Sequence, residues 1–134
     1  MGVDGSPSSQ QALRWAARQA ELTGATLEAI AVWEWPTTYG WAVPLPADFD
    51  PAADATTVVD QELQVVRQAH PAVPITVRVE EGHPAPVLVA ASEGAELLVV
   101  GSRGHGAFSG MLIGSVSEHC VTHAHCPVLV LRGP

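Results

Sequence analysis

The sequence predicts an α/β fold, an open doubly wound sheet of five mainly parallel strands with about four helices. Three observations carry that expectation. Short apolar runs such as Leu27–Trp33 and Val128–Leu131 alternate with longer stretches of helical period. Such alternation builds a parallel sheet through right-handed crossovers. The run at 97–100, rich in β-branched residues, leads straight into Gly101, as a buried parallel strand ending in a sharp turn does.

The elements follow in order. Residues 1–3 form the tail of a first strand, short against a usual five or six residues, which implies a strand that is cut short or begins further upstream. Ser6 and Pro7 read as an N-cap followed by proline at the first helical position. The helix they open carries Leu13, Ala16, Ala17 and Ala20 on one face and stops near Gly24. Leu27–Trp33 is a second, mostly buried strand. Residues 34–55 are rich in proline and aspartate, include Trp35, Tyr39 and Trp41, and show neither period; they read as a long loop. Residues 56–70 form an amphipathic helix with Val59, Leu63 and Val66 inward, closed by Pro71. Ile75, Val77 and Val79 alternate with polar residues, as on a half-exposed strand near a sheet edge. A short helix over 84–92, the strand ending at Gly101, a helix from Ser115 to His123 and the strand Val128–Leu131 complete one domain spanning residues 1–134.

Bulk properties exclude several functions. Hydrophobic residues make up 47 % and charged residues 15 %, a globular balance. No apolar run approaches the roughly 20 residues that cross a bilayer, and no basic-then-apolar leader precedes Gly2, so the expectation is a cytoplasmic protein with no membrane partner. Net charge is −8 and lysine is absent, which argues against a nucleic-acid partner. Cys120 and Cys126 do not make a disulfide framework.

Five glycines fall at 101, 104, 106, 110 and 114, so the backbone can approach a ligand closely and take positive φ. Gly114 and Ser115 then open a helix, whose free N–H groups and dipole suit phosphate. A P-loop needs lysine, and no Gly-x-Ser-x-Gly elbow exists. Asp4 either caps the first helix with Ser6 or reaches a ribose across the crevice at the strand ends, a place shared with Gly101. Arg103 and His105 are phosphate contacts or solvated loop residues. His119, Cys120, His123, His125 and Cys126 form a cluster with metal-like spacing. Cys126 reads as the start of a buried strand and the histidines as surface groups near a helix end, so no metal is expected. Trp33, Trp35 and Trp41 read as a packing cluster, Trp35 being the one to lie nearest a ligand.

These residues resemble the universal stress protein family. Its ATP-binding members carry glycine, two residues, glycine, nine residues, glycine and then serine or threonine, a spacing met by Gly101, Gly104, Gly114 and Ser115. The resemblance extends over Val3 to Ser6, the Ala20 region, 95–104 and 126–130. It implies strand order 3-2-1-4-5, with Asp4 holding the ribose and backbone near Val32 contacting adenine. The glycine segment with Arg103, Ser115 and Val116 would hold the phosphates of ATP, or of AMP or cyclic AMP, with Mg2+. In that order the last strand is an edge. It is apolar on both faces, so Val128, Leu129 and Val130 are expected to pair with a second copy in a homodimer. The resemblance adds a stress-response role with protein partners that the sequence does not identify. Three alternatives stand beside it: a slow ATPase, for which the sequence offers no convincing general base and Glu81, His83 and His105 qualify by position alone; a cyclic-AMP binder; and a dimeric scaffold that binds no nucleotide.

Overall fold

Two helices pack on each face of parallel strands in a computed structural model that describes residues 1–35, 48, 50–104 and 113–132. The order along the chain is α1 (Pro7–Thr23), β1 (Leu27–Trp33), α2 (Pro51–Ala69), β2 (Ile75–Glu81), α3 (Pro84–Ala91), β3 (Leu98–Gly101), α4 (Ser115–His123) and β4 (Val128–Leu131).

Helix α1 forms where the sequence places it. Ser6 is extended, at φ −69° and ψ 158°, and its hydroxyl accepts from Ser9 N–H, with Pro7 in the first turn. Gly24 ends the helix at φ 71° and donates its N–H to the Ala20 carbonyl. Its buried face, Ser8, Ser9, Ala12, Leu13, Ala16, Ala17 and Ala20, is made of small residues apart from Leu13, which lets the helix approach the strands closely.

Period-2 alternation sorts the strand side chains into two cores. Leu27, Ala29 and Ala31 of β1, Val99 of β3 and Leu129 and Leu131 of β4 meet α1 and α2. Ile30, Leu98, Val100, Val128 and Val130 meet α3 and α4 instead. On β2, Val77 and Val79 join the first core, while Arg78 turns outward between Glu28 and Glu80 at 2.8 and 2.6 Å.

The hydrogen bonding among the described residues does not confirm a single five-stranded sheet of order 3-2-1-4-5. Strands β1 and β2 pair in parallel over seven residues, and β3 and β4 over four. Residues 1–3 make one parallel bridge, Gly2 opposite Ile30, with Val3 N–H to the Ile30 carbonyl and Ile30 N–H to the Met1 carbonyl, each 2.8 Å. Among the described residues no ladder joins them to β3.

Helix α2 starts at Pro51, five residues before the expected start at Thr56. Asp50 caps it through a 3.1 Å bond from Ala53 N–H, and proline again occupies the first turn. Residues 51–55 are therefore helix, not loop. Trp41, within the expected loop, lies outside the described residues, as do His105, Gly106 and Gly110.

Candidate functional site

The carboxyl ends of β1 and β3 and the segment just after Val3 converge on one cleft. Its apolar wall comes from four elements: Ile30 and Val32 of β1, Pro84 and Leu88 of α3, Val100 of β3 and Val116 of α4. Gly2 closes the floor, because a Cβ there would come within 2.9 Å of Leu88 Cδ1. The polar wall holds Asp4, Ser6, Ser9, Gly101, Arg103, Gly104 and Ser117.

Asp4 sits in a tight turn that fixes one carboxylate oxygen. Its Oδ1 accepts from Ser6 N–H at 2.9 Å and from Ser6 Oγ at 2.6 Å, its own N–H donates to Ser9 Oγ at 3.2 Å, and Gly5 takes φ 81°. The helix-capping role thus uses Oδ1. The other oxygen, Oδ2, is turned toward Gly104, where a Cβ would stand only 2.8 Å from it.

The described loop glycines are explained by close approach and not by positive φ. The glycines with positive φ among the described residues are Gly5, Gly24, Gly82 and Gly94, so Gly101, Gly104 and Gly114 do not need that region. At Gly101 a Cβ would lie 2.8 Å from the Ser8 carbonyl carbon and 2.9 Å from Ser9 N, inside the backbone of α1. At Gly114 it would press on the Ser102 oxygen at 3.3 Å and Arg103 Cα at 3.4 Å. Gly114 N–H donates to the Ser102 carbonyl, and Ser117 Oγ donates to the Gly101 carbonyl, so the start of α4 is tied to the end of β3 at two points.

Of the residues singled out from sequence, Asp4, Val32, Gly101, Arg103, Gly104 and Val116 line the cleft together. Gly114 lies behind the backbone at 102–104, and Ser115 is exposed at the first position of α4. Sequence reasoning missed Ile30, which shares the Val32 side of β1 by period 2, and Pro84 and Leu88, one helical turn apart on α3. A rim contact was also missed: His83 Nδ1 lies 2.7 Å from Glu34 Oε2, linking the start of α3 to the end of β1.

Trp33 and Trp35 pack edge to face with centroids 5.4 Å apart, and Trp35 is half exposed. The His119 and His123 rings stack at 4.2 Å, and among the described residues no three potential ligands gather as for a metal. Cys126 does not begin a buried strand: it is half-buried and precedes β4 by two residues. The fully buried thiol is Cys120, pushed above its usual pKa by desolvation. No described helix is long and apolar enough to cross a membrane.

A universal stress protein of Mycobacterium tuberculosis is 40 % identical over 138 residues, covering 98 % of this chain and 46 % of that protein. The chain thus spans about half the length of the curated relatives it matches. Among solved structures, a universal stress protein in complex with cAMP superposes with TM-score 0.75 at 26 % identity, covering 100 % of this chain and 94 % of the other. A universal stress protein from Lactobacillus plantarum gives TM-score 0.78 at 24 % identity over 98 % and 94 % of the two chains, a likeness of fold. The universal stress protein family model matches residues 1–132, and the chain belongs to that family.

Proposed function

We propose that this chain is an adenine-nucleotide-binding regulatory module of a stress response, working as a homodimer. The observation that carries the reading is the divided cleft. An apolar slot of Ile30, Val32, Leu88, Val100 and Val116 lies directly beside Asp4 and the backbone at 101–104. A purine ring suits the slot, with the Val32 backbone at its edge; Asp4 Oδ2 suits a ribose hydroxyl. Arg103, Gly104, Gly114, Ser115 and Val116 surround the start of α4, where phosphate is favoured by backbone N–H groups and the dipole. ATP with Mg2+ is the ligand implied by the resemblance of the glycine spacing to that of the family's ATP-binding members. The cAMP held by one structural relative supports a cyclic nucleotide as the second reading. With lysine absent, the site would hold phosphate mainly by backbone groups, which favours occupancy as a signal over rapid hydrolysis.

The deciding experiment is mass spectrometry of any small molecule released on denaturation, followed by titration with ATP, AMP and cAMP in the presence and absence of Mg2+. Saturable binding of at least one nucleotide is expected. A well-folded protein that binds none of them favours a scaffold instead.

The dimer reading rests on β4. Val128 to Leu131 are only half-buried, and β4 pairs with β3 alone among the described residues. Val130→Asp puts a charge on β4, at a half-buried position packed against the α3–α4 core, and is expected to convert dimer to monomer in sedimentation velocity while circular dichroism shows the fold retained. A dimer that survives the change removes this part of the reading.

A further inference from the structure

The first turn of α1 grips the chain where β3 gives way to the glycine segment. Ser8 Oγ donates to the Arg103 carbonyl and accepts from Arg103 N–H at 3.3 Å, so one hydroxyl fixes the peptide groups on both sides of Arg103 Cα. Ser6 Oγ also lies 3.3 Å from that carbonyl, but its single proton goes to Asp4 Oδ1 at 2.6 Å, the closer and charged acceptor. The Arg103 carbonyl therefore depends on Ser8. This contact exists because Gly101 has no side chain: the α1 backbone rests on the strand end, within reach of a side chain as short as serine. Ser8 is 5 % exposed, so water does not readily replace its hydroxyl.

We infer that Ser8 is a positioning residue for phosphate recognition, acting through the Arg103–Gly104 peptide. That peptide is trans, so its N–H points opposite to its C=O. With the carbonyl held against α1, the Gly104 N–H is turned away from α1 and is set in direction before any ligand arrives. Pre-set donors bind phosphate without an ordering cost. The inference rests on the nucleotide reading of the cleft and assigns Ser8 no direct contact with ligand.

The test is calorimetric titration of wild type and Ser8→Ala with adenosine, AMP and ATP. Loss of one buried hydrogen bond that orients a donor is expected to weaken AMP and ATP about tenfold, while adenosine, held by the apolar slot, stays within about twofold. Equal weakening of all three ligands, or no weakening of AMP and ATP, overturns this inference alone. A wild-type chain that binds none of the three overturns the nucleotide reading and this inference with it. If Ser8→Ala does not fold, the wild-type Gly104 amide decides by NMR. It is expected to shift on adding AMP and to stay put on adding adenosine; an amide indifferent to both overturns the inference.

Discussion

The helices on the two faces of the sheet begin in different ways. On one face, α1 and α2 are each capped by a side chain that accepts from the third helical N–H, Ser6 from Ser9 and Asp50 from Ala53. On the other face, His83 makes no side-chain cap bond at α3, and Gly114 has no side chain to offer at α4. The uncapped pair supplies Pro84, Leu88, Val116 and Ser117 to the cleft. The two uncapped starts also differ from each other. Pro84 and Pro86 remove two of the first three N–H donors of α3, whereas Ser115, Val116 and Ser117 keep all three on α4. One face is closed by its own side chains. The other leaves donors at a single helix start, beside the cleft.

The largest expected effect comes from blocking that start. Gly114→Val forces a branched side chain against the Ser102 oxygen and Arg103 Cα, and nucleotide affinity should fall by well over about tenfold. Sedimentation should be unchanged, because Gly114 stands at the start of α4 and not on β4 itself. Undiminished nucleotide binding would mean that the start of α4 is not the phosphate site.

Next is the contact between the capped face and β3. Gly101→Ala drives a methyl into the backbone of Ser8 and Ser9, where no side chain can rotate away, and overpacking of this kind costs about 1–3 kcal/mol. Urea denaturation measures it. A change within about 0.5 kcal/mol would show that α1 moves off the strand end freely.

The smallest effects compare caps directly. Asp50→Ala should cost about 1 kcal/mol, since it strips a bonded N-cap. His83→Ser installs a good cap residue yet should change stability by less than about 0.5 kcal/mol. Pro86 takes away the third helical N–H and leaves Ala85 N–H as the one donor for a side-chain cap, and the exposed Glu34 pair that the substitution gives up is weak. A clear gain from His83→Ser would break the account of α3.

Much of the fold is legible in the residues because its signals are local. Ser6 with Pro7, and Gly24 eighteen residues after Ser6, bracket α1 through cap chemistry alone. The alternation of Ile75, Val77 and Val79 against Arg78 marks β2 as a strand with one face outward. Asp50 and Pro51 carry the same start signal as Ser6 and Pro7, but they sit in a stretch crowded with other prolines, and the helix they open is missed until its apolar period appears at Val59.

The candidate site was legible in residue type and less so in physical cause. By itself, the sequence determined the helix caps, the strand periods, the glycine spacing and the scarcity of cations, all properties of neighbours along the chain. Tertiary structure alone decided what stands opposite each glycine: the α1 backbone at Gly101, the Asp4 carboxylate at Gly104, the backbone at 102–103 at Gly114. It also decided that Ile30, Pro84 and Leu88 share a cleft with Asp4, and that a hydroxyl at Ser8 reaches across 95 residues to Arg103. The reason is that a glycine or a serine records only that something small is required; which atoms need the space is set when distant elements pack together.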